Sequence, residues 1–259
     1  SNIRGIFRMR VVITGSRGFI GSHIKNKLKE DGHEIIEWDH HIDKPIENFQ
    51  LDNADYVIHM AAWADVRKSI EDPNIYWENN VTNTSRIQRQ CHEYKIPLIY
   101  ASSSCIHEWH KSPYGISKKV NEETAFPGQV GLRFTTVYGG AGAQRGMFMD
   151  KIKDGNLKYV TNHVRDFVHI DDVISAIILL MGLDIWSLKP TYDIGTGEGN
   201  VVSNLAKMAG YDVPTKEGDE CEADDNTADI TDIKELGWAP TISVRRHINT
   251  LWDIKLKSV

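Results

Sequence analysis

Tyr114 and Lys118 stand four residues apart in Ser112-Pro-Tyr-Gly-Ile-Ser-Lys118, a stretch that reads as the start of a helix running to about Ala125. At that spacing both side chains leave the same helix face. A phenol with its ordinary pKa of ~10 is a poor base at neutral pH, and bringing it to ~7 takes about 4 kcal/mol of differential stabilisation. An ammonium group one turn away, joined by a second positive charge on a bound cofactor, is the kind of environment that supplies it. Just upstream, Pro97-Leu-Ile-Tyr-Ala101 reads as a strand ending in Ser102-Ser103-Ser104. Open α/β sheets take their ligands at strand C-termini, so Ser103 or Ser104 would hold the substrate oxygen that Tyr114 deprotonates. The pair alone is weak evidence, since nine tyrosines yield roughly 0.6 such pairs by chance. The order of the motifs around it singles it out.

The motif that must precede it is Arg10-Val-Val-Ile-Thr-Gly-Ser-Arg-Gly-Phe-Ile-Gly-Ser-His23. Val11-Val12-Ile13 reads as a buried parallel strand. Phe19, Ile20, Ile24 and Leu28 then share one helical face. In the turn between, Gly15 can take positive φ, Gly18 lets backbone approach a ligand, and Gly21 lets the helix sit close to the strand. The exposed N–H groups of that helix start, around Arg17, Phe19 and Ile20, are a site for pyrophosphate. A second strand, Glu34-Ile-Ile-Glu-Trp38, ends in Asp39, about 20 residues past the turn, where a carboxylate accepts both ribose hydroxyls of an adenosine. Asp39 would repel a 2′-phosphate, and neither Arg nor Lys stands beside His40 and His41, so NAD is expected over NADP. Asp55-Tyr-Val-Ile-His-Met-Ala-Ala62 is a third strand whose small end, Ala61-Ala62, lets a cofactor lie against backbone. Trp63, which follows it, is the best aromatic candidate for the pocket.

Composition excludes several classes. A net charge of −6 with no stripe of Lys and Arg argues against a nucleic-acid partner. No apolar run approaches the roughly 18 residues of a membrane span. Cys91, Cys105 and Cys221 are odd in number and widely spaced, which fits a reducing, cytoplasmic setting. His107-Glu-Trp-His110 lacks the i, i+4 spacing of a helical zinc pair, and no metal is expected. His40-His41 reads as a turn, and Ser1 to Arg8 as an expression remnant or upstream extension.

Alternating strands and helices with short links imply an α/β fold, a Rossmann-like doubly wound parallel sheet with a small, mostly C-terminal substrate lobe. Asn74 to Tyr94 reads as one long helix and Val130 to Phe134 as a further strand. Residues 9–137 plus about 166–185 are expected to form the cofactor domain. About 138–165 and 186–259 would form the lobe, where glycine-rich segments and the acidic loop Glu217 to Asp225 break the regularity.

This ordered set resembles the extended short-chain dehydrogenase/reductase family, specifically its nucleotide-sugar epimerases and dehydratases. The resemblance spans Met9 to Leu251. It is carried by Thr14-Gly-Ser-Arg-Gly-Phe-Ile-Gly21, Val57-Ile-His-Met-Ala-Ala62, Val66-Arg-Lys-Ser69 with Pro73, and Asn80-Val81 with Thr84. Further on come Tyr100-Ala-Ser-Ser-Ser104, Ser112-Pro-Tyr-Gly-Ile-Ser-Lys118, Leu132-Arg-Phe-Thr-Thr-Val-Tyr-Gly139, Arg165-Asp-Phe-Val-His-Ile-Asp-Asp172 and Leu236-Gly-Trp-Ala-Pro240. It implies a catalytic set of Ser103, Tyr114 and Lys118. NAD would be held by Gly15, Arg17, Gly18, Phe19, Ile20, Gly21, Asp39, Ala61, Ala62 and Asn80, with Tyr114 and Lys118. The helices at 74–94 and 112–125 match those that pair in the family's homodimers.

The 4,6-dehydratases carry an Asp-Glu pair just after the catalytic Ser or Thr, where this chain has Ser104 and Cys105; dehydration is therefore not expected. Cys105 reads as a small buried hydrophobe, as a lone cysteine more often is. Within the family the motifs look most like UDP-glucuronate/UDP-galacturonate 4-epimerases. Arg145 is the nearest match to an arginine facing the sugar carboxylate, Thr136 to a sugar or phosphate contact, and Ser104 joins them as a pocket residue. Arg165 matches an arginine that holds the diphosphate, and it equally suits an ion pair with Asp171 or Asp172. Where the family has a second diphosphate-binding arginine before Gly-Asp, this chain has Lys216-Glu217-Gly218-Asp219, and Glu217 would cost diphosphate affinity. The expected function is an NAD-dependent nucleotide-sugar 4-epimerase. The alternatives are an NAD(P)-dependent keto-sugar reductase or dehydrogenase, and a non-catalytic NAD-binding protein.

Overall fold

The computed structural model describes residues 8–142 and 147–257. Val11, Val12 and Ile13 are fully buried, as a strand must be when helices cover both faces of its sheet. That strand is Arg10–Thr14 (β1), followed by Phe19–Glu30 (α1), Glu34–Trp38 (β2) and Tyr56–His59 (β3). Val66–Glu71 (α2) and Pro73–Tyr76 (α3) come next; α3 continues through a π-helical segment, Trp77–Asn83, into Thr84–Glu93 (α4). Leu98–Ser103 (β4) passes through the 3₁₀ segment Ser104–Lys111 to Pro113–Glu123 (α5) and Gln129–Phe134 (β5). The second half runs Thr136–Tyr138 (β6), Phe148–Asp154 (α6), Val160–Thr161 (β7), Val164–Arg165 (β8), Phe167–His169 (β9) and Ile170–Met181 (α7). Thr191–Ile194 (β10), Asn200–Val201 (β11), Val202–Met208 (α8), Thr215–Lys216 (β12), Thr231–Glu235 (α9) and Val244–Lys257 (α10) complete it.

The central sheet is parallel throughout, in the order β10-β5-β4-β3-β1-β2. The chain winds outward from β1 to β2, then crosses back and proceeds the other way from β3. The reversal between β1 and β3 opens a crevice at their C-terminal ends, where such sheets bind ligands. Alternate side chains divide the core. Val11, Ile13, Ile58 and Leu132 pack with Ile24 and Leu28 of α1 and Ile177 of α7. Val12, Val57 and Leu98 pack on the opposite face with Ile87 and Cys91 of α4. A separate cluster, including Tyr138, Ile152, Val160, Phe167, Leu205 and Ile248, gathers around the short two-stranded sheets β6-β9, β7-β12 and β8-β11.

The doubly wound parallel sheet is present, with two departures from the sequence reading. Residues 191–194 were expected in the second lobe, yet β10 pairs with β5 as an edge of the central sheet. The long helix over 74–94 contains the π-helical segment, a widening that periodicity does not reveal. After the serine block the chain forms a 3₁₀ segment, kinked at Glu108. Among the described residues no helix is long and apolar enough to cross a membrane.

The glycine turn explains how α1 meets the sheet. Gly15 adopts φ +65°, and a Cβ there would lie 2.7 Å from the Ala61 nitrogen. A Cβ on Gly21 would lie 2.0 Å from the Gly15 carbonyl oxygen, which is backbone and cannot swing aside. Gly21→Ala should therefore cost about 1–3 kcal/mol of stability, as overpacking does. Gly18→Ala, whose Cβ would meet only the Gly15 oxygen at 3.2 Å, should cost less. Thermal denaturation of both variants checks the ranking.

Candidate active site

Ser112 begins α5: its hydroxyl accepts from the Gly115 N–H at 3.0 Å, and Pro113 occupies the first helical position without needing a donor. Gly115 lets the helix press on the 3₁₀ segment, since a Cβ there would lie 2.6 Å from the Trp109 carbonyl oxygen. Tyr114 and Lys118 consequently face the end of β4, and both are buried. The Ser103 hydroxyl accepts from the Cys105 N–H at 3.2 Å and favours the ionised form of the Tyr114 phenol. Ser103, Tyr114 and Lys118 are thus brought together.

Their electrostatics differ from the expectation. Burial pushes the Tyr114 phenol well above its ordinary range, the Cys105 thiol adds to the rise, and only the Ser103 hydroxyl opposes it. Lys118 does not lower it here. The Nζ lies over the ring, 5.6 Å from its centroid, and donates to the Ala101 carbonyl at 2.8 Å. Burial brings the Lys118 ammonium itself down to about 8. The chain's own residues store a neutral phenol beside a strained cation, and further positive charge is what would tip the pair toward phenolate.

The cofactor candidates surround the crevice. Gly18 caps α1 with no side-chain hydrogen bond and no acidic residue in the first turn. Among the described residues no protein acceptor takes the N–H groups of Phe19 and Ile20, so the donors for a pyrophosphate stand ready. Asp39 accepts from the Arg17 N–H at 2.9 Å and from the His41 N–H at 2.9 Å. Burial raises its pKa, but these bonds prevail and keep it below the usual carboxylate range. The Arg17 side chain turns to Glu37 at 3.2 Å. Together these groups fit a dinucleotide with free ribose hydroxyls. His40 and His41 form a 3₁₀ turn as expected; with Asp39 they place three potential metal-ligand atoms within 4.8 Å of one another.

Asn80 fixes the other wall. Its amide oxygen accepts from the Trp63 N–H at 2.9 Å, and its nitrogen donates to the Trp63 carbonyl at 2.8 Å and to Ser117 at 3.2 Å. The Asn80 carbonyl accepts from the Asn121 side chain at 2.7 Å. The π-helical segment holds the loop of Ala61, Ala62 and Trp63 against the helix of Tyr114 in this way. Below it runs a chain that sequence reasoning missed. Thr14 Oγ1 accepts from the Ala61 N–H at 3.2 Å and shares a hydrogen bond of 2.6 Å with His59 Nδ1, while His59 Nε2 shares one of 2.8 Å with Thr84 Oγ1. Complete burial, with the Lys118 charge adding, brings His59 down to about 3 and keeps it neutral. Its apolar strand setting hid it.

The proposed substrate residues are more scattered. Trp63 is half-exposed with its ring 6.4 Å from that of His40, and Ser104 is buried beside Ser103. Thr136 accepts from the Asn226 side chain at 3.1 Å. Arg145 lies outside the described residues. Arg165 pairs with neither Asp171 nor Asp172. Asp172 accepts instead from Thr241 and Ile242, and Asp171 lies near His169. Arg165 reaches Glu222 at 3.0 Å. Glu217 is exposed, so the acidic group that meets the arginines is one that sequence reasoning did not single out.

Comparison with known proteins accords with this geometry. The chain is similar to a provisionally named UDP-glucose 4-epimerase of Methanocaldococcus jannaschii, at 29% identity over 92% of this chain and 95% of that protein. It resembles the NAD complex of the Thermus thermophilus UDP-glucose 4-epimerase, at 25% identity, with a TM-score of 0.77 over 97% of this chain and all of that one. Its fold also matches that of MoeE5 in complex with UDP-glucuronic acid and NAD, at 24% identity, with a TM-score of 0.81 over 96% of this chain and 100% of that one. The profile of the NAD dependent epimerase/dehydratase family matches residues 11–195, and the chain belongs to that family of NAD-dependent, nucleotide-sugar-modifying enzymes.

Proposed function

We propose that this enzyme is a nucleotide-sugar 4-epimerase. The observation that supports the reading best is the joining of Ser103, Tyr114 and Lys118 at the end of β4, with Ser104 and Cys105 where a dehydratase would need acidic groups. When held by the glycine turn and Asp39, NAD would supply a reversible two-electron acceptor, so the reaction would need no net oxidant. Ser103 orients the 4-hydroxyl by hydrogen bonding. Tyr114 removes its proton and later gives it back, and Lys118 steadies the phenolate by its charge. Turnover of the 4-keto sugar between the two transfers inverts the centre. The relatives' names and bound ligands favour a uridine diphosphate sugar as the substrate class. The same reading takes the second apolar cluster as the core of a substrate lobe, and the helices α4 and α5 as a homodimer face.

The test is incubation of the purified protein with UDP-, GDP- and dTDP-sugars, with product isomers separated and reduced-nicotinamide absorbance followed. An epimerase yields a new isomer with no net absorbance change; stoichiometric NAD(P)H use would make it a reductase or dehydrogenase. Tyr114→Phe should lower turnover by roughly 10²–10⁴-fold, the range for loss of a general base, while bound NAD measured by mass spectrometry is retained.

Lys118 also predicts a pH dependence of stability. Its pKa is about 8 in the folded chain against an ordinary 10.5. Below 8 both states are protonated, and the fold bears the full cost of burying the charge. Between the two values the unfolded chain binds more protons, so stability rises with pH. In denaturant titrations across that interval, the stability difference between wild type and Lys118→Met should shift toward the wild type.

A further inference from the structure

Asp39 closes β2, and the turn that follows it, His40–Ile42, brings two imidazoles back over its carboxylate. The Asp39 side chain is 4% exposed, whereas those of His40 and His41 are each 66% exposed. His41 Nδ1 lies 2.8 Å from Asp39 Oδ1, and His40 Nδ1 lies 3.7 Å from the same oxygen. The two rings lie against each other, 3.9 Å between centroids, so both Nδ1 atoms converge on one carboxylate oxygen. Among the described residues neither Lys nor Arg forms an ion pair with that carboxylate. Three cations nearby are taken by Glu37, two residues earlier on β2: Lys25 at 3.1 Å, Arg17 at 3.2 Å and Lys29 at 3.6 Å. One acidic side chain is thus neutralised several times over, while its neighbour has only imidazoles and two backbone N–H groups.

A buried carboxylate beside two accessible imidazoles is a mixed oxygen and nitrogen donor set. Such a set suits zinc and its neighbours in the first transition row; calcium and magnesium prefer oxygen alone. At bond lengths of about 2.0–2.2 Å, the ligand atoms of a tetrahedral zinc stand roughly 3.3 Å apart. The separations of 2.8 Å and 3.7 Å bracket that value, and both histidines have the exposure to adjust. A neutral ring presents Nδ1 as a lone pair when its proton stands on Nε2, an exchange that water carries out at an exposed ring. The fourth position falls to water. The bonds from the Arg17 and His41 N–H groups stay in place and orient the carboxylate, as outer partners of metal ligands do.

We propose that Asp39, His40 and His41 form a site for zinc or a similar divalent transition metal, and that the ion and NAD exclude each other there. Asp39 is the carboxylate expected to accept the ribose hydroxyls of the adenosine, and it cannot serve both ligands. An ion on Oδ1 withdraws the charge that accepts those hydroxyls and fills the space beside it with two imidazoles and a water. Zinc therefore holds the chain in a cofactor-free form, and NAD clears the ion. By linkage each lowers the other's affinity by the same factor. The inference rests on Asp39 as the ribose carboxylate and is independent of which sugar the enzyme turns over.

The test is calorimetric titration of zinc chloride into the full chain, freed of NAD and again with NAD present, while native mass spectrometry counts zinc and NAD per chain. NAD-free protein should bind one zinc. NAD at a hundred times its own Kd should lower the apparent zinc affinity by about a hundredfold. His40→Gln and His41→Gln should each weaken zinc by at least roughly tenfold, and thermal melts would establish that both variants are folded. Asp39→Asn should weaken zinc and NAD together. Wild type that binds no zinc, or folded histidine variants that bind it equally well, overturns the proposal. Zinc bound alongside retained NAD overturns the exclusion. Loss of zinc from Asp39→Asn with NAD affinity unchanged keeps the cation site, but it puts the cofactor's ribose elsewhere and overturns the exclusion as well.

Discussion

Two backbone segments and a helix meet at Gly15 with no room for side chains, and the rest of the molecule is arranged around that contact. Gly15 lies against Ala61 at the end of β3, and Gly21 lies against Gly15 itself. Because α1 can come that close, its unpaired N–H groups open onto the crevice between β1 and β3 rather than onto solvent at a distance. The same approach places Thr14 against His59, so the neutral histidine beneath Lys118 is held from the nucleotide side. A steric constraint at one turn thus sets both the cofactor's donors and the floor under the chemistry.

A second level of order comes from polar groups that are buried but paired. Asn80 imitates a backbone strand toward Trp63, and the π-helical segment frees its own carbonyl for Asn121. Widened helical turns recur at functional sites because they leave backbone groups available to partners outside the helix. Here the partners are the loop of Ala61 to Trp63 and the helix of Tyr114 and Lys118, which are thereby tied to each other. In the second half Asp166 has a comparable role. Fully buried, it accepts from Thr196, Gly197 and Ala228 and ties together loops that no regular secondary structure connects.

The Tyr114–Lys118 pair is electrostatically unsettled. Burial alone raises the Tyr114 phenol and lowers the Lys118 ammonium, which pushes both toward their neutral forms. A site left in that state is a poor base and a good receiver of positive charge. Arg67 and Arg165 are the opposite case, already paired with Glu222 and Asp219.

The sequence alone determined whatever is local. The glycine turn, Asp39 at the end of β2, the serine-tipped β4 and the Tyr114–Lys118 spacing each depend on a few consecutive residues whose conformational preferences leave little choice. Family membership follows from their order, since a linear pattern suffices to test it. What only the tertiary structure decided depends on pairs far apart in the chain. The edge strand 191–194 joins the central sheet by hydrogen bonds to β5, which its own residues do not announce. His59 is kept neutral by burial and the Lys118 charge, with Thr14 and Thr84 at its two ring nitrogens. Lys118 over the Tyr114 ring, rather than at its oxygen, reflects a carbonyl on another element. Glu222 between Arg67 and Arg165 was one acidic residue in an acidic loop until folding selected it over Glu217. Propensity and spacing act over a few residues, whereas burial and charge pairing act through space, and the division between the two readings falls along that line.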